Sequence, residues 1–199
     1  MAESIDYNAA VGEALAREKN ARDASWADVR PRIGGREFLP LTIRHYLALD
    51  AVDSPFIRGG VMPTPEQLCQ FLWVIAPEFS PDSGAMLNFA KAIGAWPSFD
   101  ARVKECFELV EVTFMDAPQG DGGNAGGPSF VSWVASIVDA LGSEYGWKPF
   151  EVIDMPLRQI FQLLRAIRRR HDPKAMLFNT LSDRARLAWL ESLNRKEAA

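Results

Sequence analysis

Histidines, cysteines and clustered carboxylates carry most protein chemistry, and this sequence spaces them in ways that support little of it. Its two histidines are His45, within Arg44-His45-Tyr46, and His171, directly after Arg168-Arg169-Arg170. Neither has a ligand at i+4 or a cysteine close by, so zinc spacing is absent. Cys69 and Cys106 stand far apart without a paired histidine and read as buried free thiols. Glu105, Glu108 and Glu111 recur every third residue, and with no histidine among them they read as a solvated helix face. Gly120-Asp-Gly-Gly-Asn-Ala125 loosely imitates a dinucleotide fingerprint. That fingerprint must follow a strand, whereas a helical stretch precedes it here, and no Gly-Lys-Ser/Thr ending completes a phosphate loop. Neither a Gly-x-Ser-x-Gly elbow nor a His-Glu-x-x-His motif occurs. The expectation is a protein that is not an enzyme, with no catalytic residues, cofactor or metal.

The elements that hold these residues are read as helices. Thr64-Pro65-Glu66-Gln67 is a helix start: Thr64 caps, Pro65 suits the first turn and Gln67 returns the capping-box bond. Leu68, Phe71, Leu72 and Ile75 follow at helical spacing until Pro77. Val103, Phe107, Val110 and Phe114 form a second apolar face, and Thr42 to Val52 reads as a shorter helix. Ahead of it, Arg32 to Pro40 predicts a short hairpin turning at Gly34-Gly35. Residues 1–30 read as an N-terminal arm with Val11 and Leu15 on an amphipathic stretch and a weaker region around Trp26.

Pro118 to Pro128 contains five glycines and two prolines, a composition that resists ordering and predicts a linker. Beyond it, Val134, Ile137, Val138 and Leu141 share a helical face whose end Gly142 loosens. A further helix is expected from near Asp154, with Pro156 in its first turn and Leu157, Ile160, Phe161, Leu164 and Ile167 as its apolar stripe. Thr180-Leu-Ser-Asp183 opens a last helix through Leu187, Leu190 and Leu193. Among the six tryptophans, Trp73, Trp133 and Trp189 are expected to fill the core, Trp96 and Trp147 to pin turns, and Trp26 to be freest for a partner. The fold class is thus mainly α: an arm over 1–30, a helical body over 31–117, a linker over 118–128 and a C-terminal helical part over 129–199.

At 199 residues, with 48% hydrophobic and 24% charged side chains, the chain has the composition of an ordinary folded domain rather than a disordered one. It shows no apolar run of spanning length and no leader pattern at its start, which predicts a chain that neither spans a membrane nor is visibly secreted. The net charge of −4 is unevenly spread. Residues 156–199 hold ten basic side chains against four acidic ones, so the rest of the chain is strongly acidic. Such polarity suits self-association, an oriented partner, or simple complementarity within the fold.

Gly142-Ser-Glu-Tyr-Gly-Trp-Lys-Pro149, followed by Val152-Ile-Asp-Met-Pro-Leu-Arg-Gln-Ile-Phe161, resembles proteins of tailed-phage morphogenesis modules, above all tail assembly chaperones. Leu39 to Leu49, Ser54-Pro-Phe56 and Phe71 to Phe79 are similar to other phage and prophage proteins. The resemblance implies a helical, non-enzymatic protein that binds the tape-measure protein and tail tube subunits. An amphipathic partner helix needs an apolar groove edged by charge. Leu157, Ile160, Phe161 and Leu164, beside Arg158 and Arg165, are the candidate contact residues; alternatively they close the core against Val134, Ile137 and Val138. A competing reading uses the basic cluster Arg165 to Arg170 with Arg184 and Arg186 to bind nucleic acid, as a regulator or packaging accessory. The acidic pI near 5.3 and the lack of a recognition-helix pattern argue against it.

Overall fold

The computed structural model describes Asp23, Trp26, Ala27 and residues 29–80, 83–94, 98–117 and 132–172. The expected arm around Val11 and Leu15, the 118–128 stretch, Trp96, Trp189 and the last helix from Thr180 lie outside the described residues. Those described form a mainly α fold of eight helices and one two-stranded hairpin.

The hairpin comprises β1 (Arg32–Ile33) and β2 (Arg36–Glu37), paired antiparallel with Arg32 opposite Glu37 and Ile33 opposite Arg36. Gly34 and Gly35 both take positive φ, 62° and 78°, as a two-residue turn between tightly paired strands requires. Helices α1 (Ile43–Ala51) and α2 (Pro55–Arg58) follow. Helix α3 (Pro65–Val74) begins with the predicted box: Gln67 N–H donates to Thr64 Oγ1 at 3.3 Å, and Thr64 N–H donates to Gln67 Oε1 at 2.9 Å. Helices α4 (Ser83–Gly94) and α5 (Phe99–Phe114) complete the N-terminal half.

Helix α6 (Trp133–Tyr145) corrects one expectation. It does not loosen at Gly142 but runs on to Gly146, which adopts φ 71° and donates its N–H to the Gly142 carbonyl at 2.8 Å. Gly146 supplies the left-handed residue that ends a helix, and Gly142 is an interior position. A short helix that the sequence left unassigned, α7 (Pro149–Ile153), lies between the turn at Trp147 and Asp154. Pro149 takes its first position, and Glu151 reaches back to accept the Lys148 N–H at 2.7 Å. Helix α8 therefore starts at Leu157, with Pro156 as its N-cap, and extends to His171; Asp154 closes α7 instead of opening α8.

One hydrophobic core spans both sides of the glycine-rich stretch. Phe38, Leu41, Ile43, Leu49, Phe71 and Leu72 come from the N-terminal half, and Leu141, Val152, Leu157 and Ile160 join them from the C-terminal half. The two helical parts of the sequence are thus halves of a single packing unit, with α8 laid against both α5 and α6. Aromatic rings stitch the layers: Phe56 lies 4.5 Å from Phe71 and 4.9 Å from Phe107 between centroids, and Trp73 packs on Phe79 and Phe89. Among the described residues no helix is long and apolar enough to cross a membrane.

Candidate functional site

Helix α8 carries all six candidate contact residues, and its strong amphipathicity sets where each one points. Leu157, Ile160 and Phe161 are 0%, 0% and 3% exposed, and Leu164 is half-buried against the same core. Phe161 faces Phe114 of α5, ring centroids 5.6 Å apart, and α6, with Ile137 and Leu141 buried in the same core, also packs against α8. In this conformation these four side chains close the core and offer no open groove. The stripe is apolar because two helices, α5 and α6, already cover it.

Arg158 and Arg165 do not form a free charged edge either. Arg165 Nη1 donates to Asp116 Oδ1 at 2.8 Å, with side-chain exposures of 17% for the arginine and 0% for the aspartate. This pair ties the end of α5 to the middle of α8. Arg158 is only partly exposed and is engaged in interactions of its own.

The basic end of α8 is also engaged locally. Arg170 Nη1 lies 3.0 Å from Glu144 Oε2, its Nη2 donates to the Tyr145 hydroxyl at 3.1 Å, and its guanidinium sits over the Tyr145 ring. His171 Nε2 meets the other Glu144 oxygen at 2.5 Å. The hydrogen bond from His171, with the charges of His171 and Arg170, holds the Glu144 carboxyl below its ordinary range. Tyr145 stacks on Trp147 at 4.8 Å, so the Tyr-Gly-Trp turn is pinned as expected and in turn braces the α8 C-terminus. Arg184 and Arg186 lie outside the described residues.

Two further expectations change. Glu105 does not join Glu108 and Glu111 on a solvated face: its Oε2 accepts Gly34 N–H and Arg102 Nη1, each at 2.8 Å. It fastens the hairpin turn to α5. Trp133 does not fill the core; it is 39% exposed and packs edge-on against Tyr46, with centroids 5.0 Å apart.

Tyr46 and Trp133 stand beside the outward-facing feature that sequence reasoning missed. Tyr46 of α1, Ile57 of α2, and Val110, Glu111 and Phe114 of α5 line a shallow groove of about 260 Å³. Phe114 links it inward, lying 6.0 Å from Tyr46 and also against Phe161. The groove is assembled from three helices, so no single stretch of sequence announced it. It can bind an apolar ridge by shape and burial, with Glu111 as a charged edge. A second cavity of about 370 Å³ lies between α3, α4 and α5, lined by Pro65, Leu68, Ile93, Phe99 and Arg102 among others. Among the described residues no group of three or more His, Cys, Asp or Glu side chains is placed to hold a metal ion. Burial pushes the thiols of Cys69 and Cys106 above their ordinary range, the state of inert core cysteines. No family model matches the chain, and comparisons with curated proteins and with solved structures likewise gave no match.

Proposed function

We propose that the protein is a non-enzymatic morphogenesis factor of tailed phages, a tail assembly chaperone that binds the tape-measure protein and tail tube subunits in the cytoplasm of the bacterial host. The observation that supports this reading is the form taken by Gly142–Phe161, the segment that carries the resemblance. It makes one continuous unit, from the end of α6 through the stacked Tyr145-Gly146-Trp147 turn and α7 into α8. A mainly helical fold with an aromatic groove beside Trp133 suits the capture of amphipathic helices. The proposed contact surface moves from the buried stripe of α8 to Tyr46, Ile57, Val110, Phe114 and Trp133. Glu111 at its edge favours a partner helix with a basic residue next to its apolar ridge.

Co-expression with a tape-measure protein encoded beside it is expected to give a soluble complex. Trp133→Ser is expected to weaken that complex on the order of tenfold, as for a half-exposed aromatic anchor, while the variant keeps its fold. Unchanged binding by Trp133→Ser would move the contact elsewhere. A chain that neither binds nor solubilises the tape-measure protein contradicts the function, and a salt-sensitive electrophoretic shift with DNA would favour the nucleic-acid reading instead.

A further inference from the structure

His45 closes the N-terminal capping box of α1, a place usually taken by Glu or Gln. Its Nδ1 accepts the N–H of Thr42 at 3.3 Å, and its own backbone N–H donates to Thr42 Oγ1 at 3.3 Å. The residue is 8% exposed, and the Pro40 carbonyl is the hydrogen-bond partner that favours a proton on the ring. An imidazole nitrogen accepts a hydrogen bond only while it carries no proton. The buried cap therefore requires a neutral ring.

The same few residues join the two halves of the fold. Leu157 N–H, the first of α8, donates to the Leu41 carbonyl at 2.8 Å, and Thr42 forms an isolated antiparallel bridge with Pro156. Arg44 clasps Asp154 with two bonds, Nε to Oδ1 at 2.7 Å and Nη2 to Oδ2 at 3.0 Å. The start of α8 is thus hung on the cap that His45 completes.

We propose that His45 is a proton-sensitive latch between α1 and the start of α8. Proton uptake from water at Nδ1 converts the acceptor of the Thr42 N–H into a donor facing it. It also places a cation at a helix N-terminus, where the dipole opposes it. Two charged groups bear on the ring: Arg44 of the same helix opposes protonation, and Asp154 of the α7–α8 turn favours it. Burial is the largest influence and holds the imidazole below its ordinary value of 6.5. The opened junction consequently binds the proton more tightly than the closed one. The latch is complete above about pH 6.5 and weakens as the pH falls below it. The carboxylates of Asp154 and Glu144 are held below their ordinary range, so they take up protons only in stronger acid than this window.

Amide hydrogen exchange at pH 7.5 and 5.5, corrected for intrinsic exchange chemistry, tests the latch on the full-length protein. Protection of the Thr42 and Leu157 amides is expected to fall in acid relative to the α3 core amides, by at most about tenfold, the ceiling set by the one pH unit between the ring's ordinary value of 6.5 and pH 5.5. His45→Gln keeps an acceptor at the box and is expected to hold its protection at both pH values, whereas His171→Gln should respond as the wild type does. An absent response in the wild type, or an equal response in His45→Gln, overturns the proposal. If His45→Gln folds poorly, the wild-type ring decides by NMR. A His45 titration in step with the Leu157 amide supports the latch, and a titration that leaves that amide unchanged refutes it.

Discussion

Arg165→Ala is expected to destabilise the protein by about 3–5 kcal/mol, the range for stripping one partner from a buried ion pair. The pair joins the end of α5 to α8, with Asp116 fully buried and its Oδ1 2.8 Å from the guanidinium. Removing the arginine leaves a carboxylate inside the fold without that donor, a loss that salt does little to screen. Chemical denaturation measures it directly. Asp116→Ala/Arg165→Ala should lose much less than the sum of the two single variants, because the double change removes the stranded charge together with its partner. A loss below about 1 kcal/mol in the single variant would place Arg165 among ordinary surface charges. It would restore the view of Arg158 and Arg165 as the charged edge of a contact surface on α8.

Ile160→Ala carries the second large effect, about 2–5 kcal/mol for an aliphatic side chain truncated inside a packed core. Ile160 is completely buried on α8, the helix that packs against both α5 and α6. The cavity should therefore weaken the two halves of the chain together, so that exchange-protected amides in α3 and in α6 lose stability by the same amount. A variant of near-wild-type stability that binds its partner less well would return Ile160 to the surface.

The elements most legible in the sequence are those fixed by local chemistry. Thr64, Pro65 and Gln67 announce α3 within four residues, and Gly34-Gly35 dictates the hairpin turn because both positions need positive φ. Helix faces on α5 and α6 follow from spacing alone. Helix α7 escaped because five residues are too few for a period to show, although Pro149 and Glu151 mark its first turn. The cap at Thr42 escaped because histidine is not among the usual box partners.

Less legible was anything decided by residues distant in the chain. An amphipathic stripe such as Leu157, Ile160 and Phe161 reveals that it will be covered and not by what; here the cover is the fold's own α5 and α6. Arg165 looked solvated until α5 brought Asp116 beside it from 49 positions earlier, and Glu105 until the hairpin turn reached it across 71. The groove at Tyr46 could not be read at all, since three helices supply its walls.

The placement of the contact surface rests on the two halves sharing one core, and fragment complementation tests that claim most directly. Residues 1–117 and 118–199 expressed separately should each lack a cooperative thermal transition, because each exposes the face the other buries. Mixed at equal concentration, they should form a one-to-one complex that melts in a single transition. Two fragments that fold and melt independently, with no complex on mixing, would contradict the shared core and reopen the stripe of α8 as a binding surface.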